Sequence, residues 1–434
     1  MSIFRTLERS WVLVLVFGLS LLAALAAGEP LFFSLFYLSG SILILSYLWA
    51  FLNLHWVRVT RQTRAGHVQA GGFIEEQLTL TNTGPLSKLW IELKDESDLP
   101  LHRASRVVST MRSGTQQSWH VRTPCYRRGR FTLGPVTLMS SDPFGLFPLQ
   151  KQLPRNFATH VVVYPVAMDL PYFQPPIGEQ IGGEAQRRRT HYVTTNVSGV
   201  RDYSFGDSFN RIHWPSTART GRLMVKEFEI DPVADIWILL DMYFPVQAGL
   251  RPEEIPWPKL PEVHWEPLPK FQLPPSTEEY GVAAAASIAK HFLTQGRAVG
   301  LITYANGEHR EIAQSDRGER QLARISEMLA VTQAYGAIPI AEVLAAETMH
   351  LSRNTSVIII TPSTQSDWVA ATRNLINRGI KATAVLIDQT SFDGVGSTID
   401  TEIELTANHI PHYVVRCGDQ LADALANVRS PGRR

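Results

Sequence analysis

The sequence predicts a membrane-anchored chain of α/β plus β class: two N-terminal transmembrane helices, a β-sandwich-like domain, then an α/β domain with a mostly parallel sheet. Three observations carry this expectation. Two uncharged apolar stretches, 11–27 and 31–52, open the chain. Short runs of alternating apolar and polar residues fill positions 57–168. From about 231 onward, continuous apolar runs alternate with helical stretches.

A span needs about 20 apolar residues to cross the hydrocarbon layer. The second stretch has that length, the first approaches it, and Gly28-Glu29-Pro30 breaks the chain between them. Tyr47, Trp49 and Trp56 cluster near the exit, where amphipathic rings favour the interface. Arg5 and Arg9 precede the hairpin, and Arg58, Arg61 and Arg64 follow it. Positive-inside counting then places both ends in the cytoplasm, with the soluble domains facing the cytoplasmic side of the inner membrane. Ala24-Leu25-Ala26 resembles a signal cleavage site. Cleavage there would leave the second span and its basic flank.

The expected domains are 1–56 (hairpin), 57–170 (β), 171–230 (a linking segment) and 231–434 (α/β). In the β domain, strands are predicted at 76–83, 89–93, 118–122, 129–133, 136–139 and 160–164, with Gly or Pro in most gaps. Arg127-Arg128-Gly129-Arg130 forms a basic patch, which reads as a solvated face or a contact for anionic headgroups. Asp142-Pro143-Phe144-Gly145-Leu146-Phe147 has the order of a tight turn with three large apolar side chains to bury.

In the α/β domain, apolar runs at 236–240, 298–304, 356–361, 382–387 and 412–415 read as buried parallel strands. Helices are predicted at 277–294, 319–333, 340–351, 367–378 and 419–427. Ligands of such sheets bind at the carboxyl ends of the strands, and Asp241 sits at one. An insert at 245–275 is dense in proline, including Pro252, Pro256, Pro258 and Pro261, and forbids a helix. It reads as a binding loop or as a disordered excursion.

Composition excludes several function classes. The 434 residues suit two or three domains, and a hydrophobic content of 44% supplies their cores. A net charge of +1 gives no bias toward nucleic acid, and no nucleic-acid partner is expected. The two cysteines, Cys125 and Cys417, lack zinc-site spacing and fit a reducing compartment. The chain has no phosphate loop, no His-Glu-x-x-His and no Gly-x-Ser-x-Gly. It is therefore read as no enzyme, with no cofactor.

The linking segment carries the most specific pattern. Gly199-Val200-Arg201-Asp202-Tyr203-Ser204-Phe205-Gly206-Asp207 is followed by Arg211-Ile212-His213-Trp214, Arg219, and Leu223-Met224-Val225-Lys226-Glu227-Phe228. Its charges have both signs. They suit a locked domain boundary, through bidentate Arg–carboxylate bonds, or a partner-docking surface. Asp207 or Ser208 is placed to cap a short helix through Ile212 and His213, with Pro215 breaking it or starting another turn. Arg201 and Arg219 are expected to be structural, and Arg211 to be the docking residue. Asp202 and Asp207 also form a conceivable catalytic pair, the basis of an alternative reading as an envelope-associated hydrolase.

These residues resemble the hallmark of the bacterial family called domain of unknown function 58. The upstream Arg128-Gly129-Arg130-Phe131 and Asp142–Phe147 segments, the two spans and the terminal domain resemble it too. The resemblance implies a von Willebrand factor A-like C-terminal domain. It also implies association with a MoxR-type AAA+ ATPase and with a transglutaminase-like membrane protein, and no established enzymatic activity. The expected function is a non-catalytic, membrane-anchored scaffold. The alternative is a metal-dependent von Willebrand factor A-type binding module. That fold often holds a divalent ion through Asp-x-Ser-x-Ser, and the matching positions here are Asp241, Tyr243 and Pro245. Tyr243 is a poor substitute for serine, Pro245 offers no side-chain oxygen, and Thr361-Pro362-Ser363 stands where an Asp would be expected, so no stable metal site is predicted.

Overall fold

The computed structural model describes residues 2–64, 66–154, 157–175, 197–204, 207, 209, 212–228, 235–251, 254–258, 269–352 and 355–429, without the side chains of 2–10, 197–199, 227 and 228. The class is mixed α/β, with N-terminal apolar helices and several sheets. The chain divides into two compact units. One comprises Met1–Val166, Pro256–Gln272 and Ser326–Val331, and the other holds the rest.

The first unit begins with helices α1 (Ser2–Ala27) and α2 (Pro30–Leu54). Among the described residues, α2 is long and apolar enough to cross a membrane, while 11–27 is a shorter apolar stretch. The helices meet where Phe17 stacks on Phe36, with ring centroids 4.7 Å apart. Gly40 leaves room for that ring, since a Cβ there would lie 2.9 Å from Phe17. Ser20, Ser34 and Ser39 each return a hydroxyl hydrogen bond to a carbonyl three or four residues back, so their polarity is satisfied within the helix.

Ten strands follow: β1 (Val57–Thr63), β2 (His67–Gln69), β3 (Phe73–Asn82), β4 (Lys88–Asp95), β5 (Arg106–Met111), β6 (Gln116–Pro124), β7 (Gly129–Leu133), β8 (Val136–Ser140), β9 (Leu149–Gln152) and β10 (Thr159–Tyr164). They form sheets of order β1-β3-β6, β5-β4-β8-β9 and β2-β10-β7. The first two share one core. Val57, Val59, Leu78, Leu80, Trp119 and Val121 come from one sheet, and Ile91, Leu93, Val108, Met111, Val136 and Leu138 from the other. Strands β1, β2, β5 and β9 were not among those expected. Each is short or polar, and pairing with neighbours holds it.

Four charged side chains are sealed inside this unit. Arg61 of β1 meets Glu76 of β3 at 2.9 Å and Asp95 of β4 at 2.7 Å. His102 places Nε2 3.1 Å from both carboxylates, and its Nδ1 lies 2.8 Å from the Thr123 hydroxyl. None of the four side chains is more than 2% exposed. Burial alone would lower the His102 pKa, but its bonds to Asp95 and Glu76 raise it above the ordinary value. Burial would raise Asp95, yet hydrogen bonds from His102 and Ser97 and the Arg61 charge hold it below the usual range.

Two expectations about this unit are corrected. The basic patch is a solvated face only in part: Arg130 is exposed, but Arg128 is buried and the Arg127 guanidinium lies 5.3 Å from the ring centre of Trp257. Phe144 does not bury, while the rest of its turn does close as expected. The described part of the proline-rich insert that belongs to this unit, 256–258 and 269–272, makes contacts within it. Pro269 accepts a 2.9 Å bond from the Tyr126 hydroxyl, and Phe271 packs on the Ala70, Ile74 and Val163 cluster. The segments 252–253 and 259–268 lie outside the described residues.

The second unit contains β11 (Val197–Asp202), α3 (Trp214–Thr220), β12 (Met224–Phe228), β13 (Ile236–Leu240), α4 (Thr277–Thr294), β14 (Val299–Gly307) and β15 (His309–Asp316). After α5 (Glu319–Val331), of which Ser326–Val331 is counted with the first unit, come β16 (Tyr335–Gly336), α6 (Ile340–Glu347), β17 (Ser356–Thr361), α7 (Asp367–Asn377), β18 (Lys381–Ile387), α8 (Thr398–Ala407), β19 (His412–Val415) and α9 (Leu421–Ala424). The main sheet has the order β15-β14-β13-β17-β18-β19, with β16 beside β14. Its pairings are parallel except for β15, an antiparallel edge strand. Alternation explains the layers. Leu239, Val357, Ile359, Ala384 and Leu386 form one core with Ile340 and Leu344 of α6 and Trp368 of α7. On the opposite face α4 approaches β13 and β17 at Gly281, where a Cβ would lie 3.4 Å from Leu240. Strand β15 and helix α8 were not expected, because their polar sequences show only a weak apolar period.

Candidate functional site

The signature residues form a small motif. Strand β11 pairs antiparallel with β12, matching Gly199 to Glu227, Val200 to Lys226, Arg201 to Val225 and Asp202 to Met224. The helix between them starts at Trp214, with Pro215 in its first turn. Ile212 and His213 are not helical, Ser208, Asn210 and Arg211 of the expected helix lie outside the described residues, and Pro215 takes the second of its two expected roles by starting a turn. Proline lacks the N–H that a first turn leaves unused, and its fixed φ suits a start rather than a stop. Gly221 closes the helix at φ 70°, and Thr217 accepts the Met224 N–H at 3.0 Å.

Arg201 donates to both carboxylate oxygens of Asp207, each at 2.8 Å, and Asp207 also accepts the Ser204 N–H. Asp202 is exposed, and Tyr203 and Lys226 are half-buried. Arg219 is exposed in the last turn of a helix with no buried residue, so its expected structural burial is corrected. Trp214 and Phe209 are exposed as well. Gly206 and Arg211, the latter expected to be the docking arginine, lie outside the described residues, as does the side chain of Glu227.

The carboxyl edge of the main sheet forms the second site. Strand order reverses direction at β13, since the chain steps outward to β14 on one side and to β17 on the other. Ligands of doubly wound sheets bind outside such a reversal. Asp241 occupies this point, but its carboxylate is turned inward and buried. It accepts the Thr361 hydroxyl at 2.6 Å and the Tyr243 N–H at 3.0 Å. Thr361 in turn accepts the Ser363 N–H at 2.9 Å. Burial pushes the Asp241 pKa up to about 6, against the pull of those two bonds. A hard divalent ion needs several available oxygen ligands. Here the one carboxylate is engaged, Pro245 has no side-chain oxygen, and among the described residues no group of three or more His, Cys, Asp or Glu side chains could hold a metal. These residues do not fit the ion.

Beside Asp241 the edge opens into a cavity of about 490 Å³, lined by Phe244, Pro245, Leu250, Glu278, Tyr335 and Val395 among others. Phe244, Leu250, Tyr335 and Val395 are exposed, Val395 to 93%. The far wall is the loop after β18, and Asp388 organises it. That carboxylate accepts from the Thr390 and Thr398 hydroxyls at 2.6 and 2.7 Å and pairs with Arg416 at 3.2 Å. Burial would raise its pKa, but these partners hold it below the ordinary value. Sequence reasoning missed this wall. The available signal was an Asp at the carboxyl end of an apolar strand, the same signal that identified Asp241.

A raised carboxylate pKa carries a signed consequence. Relative to an unfolded value near 3.9, protonated Asp241 contributes stability that is full below about 4 and lost as pH rises through about 6. The loss is on the order of 2–3 kcal/mol. Asp241→Asn keeps an acceptor without the charge, so it is expected to flatten this dependence in denaturation curves between pH 4 and 8. A variant that is less stable than the wild type at pH 8 would contradict the reading.

Together these features define a doubly wound α/β module whose signature hairpin and carboxyl edge present exposed aromatic surface. The family model described as Protein of unknown function DUF58 matches residues 199–250, the segment that holds the signature hairpin, and over those residues the chain is similar to that family. The uncharacterized protein YeaD of Bacillus subtilis (strain 168) is 25% identical over 218 residues, 48% of this chain and 54% of that protein. The chain thus spans about half the length of the curated relative it matches. Among solved structures, a CARDB domain from Pyrococcus furiosus in complex with di-metal ions aligns at 12% identity and a TM-score of 0.19, over 25% of this chain and 86% of that one. The Pseudomonas fluorescens alkylpurine DNA glycosylase AlkC aligns at 16% identity and a TM-score of 0.17, over 35% and 42%. Likenesses at that level carry no argument about fold or function.

Proposed function

We propose that this chain is a non-catalytic, membrane-anchored scaffold whose von Willebrand factor A-like domain docks a protein partner without a metal ion. The observation that carries the reading is the inward, hydrogen-bonded carboxylate of Asp241 beside an open cavity rimmed by exposed apolar side chains. A site without available oxygen ligands, but with exposed Phe244, Leu250 and Tyr335, suits the burial of apolar side chains from a protein. The family resemblance names the partners: a MoxR-type AAA+ ATPase and a transglutaminase-like membrane protein. The apolar α2 and the basic residues after it support two spans in the inner membrane with both domains in the cytoplasm.

The test is a binding titration of the purified full chain, in detergent, against a purified MoxR-type ATPase from the same organism. Leu250→Glu and Tyr335→Ala alter exposed cavity positions and are expected to weaken binding at least tenfold without changing the melting temperature. Arg219→Ala and Trp214→Ala test the signature face in the same way. Unchanged affinity in all four variants would remove both surfaces from the interface.

A further inference from the structure

We propose that the end of the β unit beside α2 is seated in the lipid interface, with Trp56, Leu86, Trp90 and Phe144 immersed among headgroups and upper acyl chains. The proposal rests on reading α2 as a membrane span, and five observations within the first unit support it.

The first is the absence of a linker. Helix α2 ends at Leu54 and β1 begins at Val57. The second is a set of bonds that fixes the helix end to the strands. The Asn53 amide donates to the Leu89 carbonyl and, at 2.6 Å, to the Ser140 hydroxyl, and it accepts the Leu89 N–H at 3.0 Å. Lys88 is buried, and its ammonium donates to the carbonyl of Leu52 in the last turn of α2. A cation at this point complements the negative end of the helix dipole.

The third observation is depth. Phe147 meets Tyr47 edge to face, with centroids 5.7 Å apart. Tyr47 lies seven residues before Leu54, or about 10 Å back along the helix axis. A span of about 20 residues counted from Pro30 ends near Trp49 or Ala50. The loop carrying Phe147 therefore reaches the level of the hydrocarbon boundary.

The fourth observation is composition. Trp56, Leu86, Leu89, Trp90 and Phe144 are all exposed at this end, Phe144 to 64%. Exposed tryptophan and large apolar side chains are what an interfacial surface presents. Trp56 and Trp90 also sit at φ 57° and 50°, a region that bulky residues seldom adopt. At the other end of the strands, Arg64, Glu75, Lys94 and Glu96 form exposed ion pairs. Lys94 stands six residues along β4 from Lys88, about 20 Å away.

The fifth is hydrogen-bond satisfaction. Lipid supplies no partner for a free N–H, so irregular backbone enters it only when bonded internally. Asp142 accepts the N–H groups of Phe144, Leu146 and Phe147 at 2.8–2.9 Å, and its carbonyl accepts that of Gly145 at 3.0 Å. This turn can lose its water.

The test uses the full chain in vesicles of phosphatidylcholine and phosphatidylglycerol. Cys417→Ser removes the accessible thiol, and buried Cys125 is retained. Nitroxide labels are placed singly at Phe144→Cys, Leu86→Cys, Leu38→Cys and Lys94→Cys. Oxygen collects in lipid and a neutral nickel chelate stays in water. Labels at 144 and 86 are expected to relax several-fold more with oxygen than the Lys94 label does, and several-fold less with the chelate, on the side of the Leu38 label. Labels at 144 and 86 that match Lys94, while Leu38 stays in lipid, overturn the proposal and leave the span standing. A Leu38 label open to the chelate overturns both.

Discussion

Arg61→Ala is expected to lower the stability of the β unit by about 3–5 kcal/mol, the usual cost of removing one member of a buried ion pair. Among the described residues, the guanidinium is the permanent cation that pairs with Glu76 and Asp95, at 2.9 and 2.7 Å, and all three side chains are buried. Without it, two carboxylates share one histidine. The comparison is Arg64→Ala. Arg64 pairs with Glu75 at the same 2.9 Å, but both side chains are exposed, and that loss should stay below about 1 kcal/mol. Denaturant titration of the full chain in detergent reads both, and equal small losses would contradict the account. The same cluster sets a pH dependence. With His102 protonated, Arg61 and His102 balance Glu76 and Asp95. Its folded pKa is raised, so this stability is present below about pH 6.5 and lost as pH rises through the folded value. His102→Gln should remove that slope.

Asp142→Ala is expected to cost about 3 kcal/mol. Its carboxylate accepts three backbone N–H groups at 2.8–2.9 Å, and hydrogen bonds to a charged group contribute about 1.5–3 kcal/mol each, with incomplete additivity. Leu146 is buried, so its N–H finds no water after the change. Asp142→Asn keeps an acceptor and should recover part of the loss. Thermal unfolding of the three proteins gives the order wild type, Asn, Ala, and an Ala variant within about 0.5 kcal/mol of wild type would show that the turn is held by other means.

The sequence made the fold legible where burial is symmetric. Ile236–Leu240, Ser356–Thr361 and His412–Val415 are apolar on both faces, and the strands fall at those residues. Thr277–Thr294 was equally plain as a helix, because Pro274 and Pro275 precede it and Ser276 stands at its cap position. The edge strand His309–Asp316 was not legible. Its partner lies on one side only, so its residues carry no continuous apolar run. The charged cluster left a signal that a closer reading of period two would catch. Glu76 shares a face with Ile74, Leu78 and Leu80, Arg61 with Val57 and Val59, and Asp95 with Ile91 and Leu93. A charge that continues an apolar face must be paired, but its partners come from other strands and need the register to be named.

The candidate site was legible in part. Asp241 and the degenerate positions Tyr243 and Pro245 were identifiable from the end of β13. The opposite wall was not, because residues 389–395 approach Phe244 and Leu250 only once the sheet order is set. The Arg201–Asp207 bond follows from charge sign and short spacing. The exposure of Arg219 does not, since a seven-residue helix gives too little periodicity to assign a face.

The central claim is that the cavity beside Asp241 docks a protein partner without a metal ion. Its most direct measurement is photo-crosslinking in native membranes from a photoreactive residue at Val395, in the wild-type background and with Asp241→Asn, followed by mass spectrometry of the products. The account predicts the same crosslinked MoxR-type ATPase or transglutaminase-like protein in both backgrounds, at similar yield. Neither of these proteins captured from Val395, or a capture that Asp241→Asn abolishes while the chain remains folded, would contradict it.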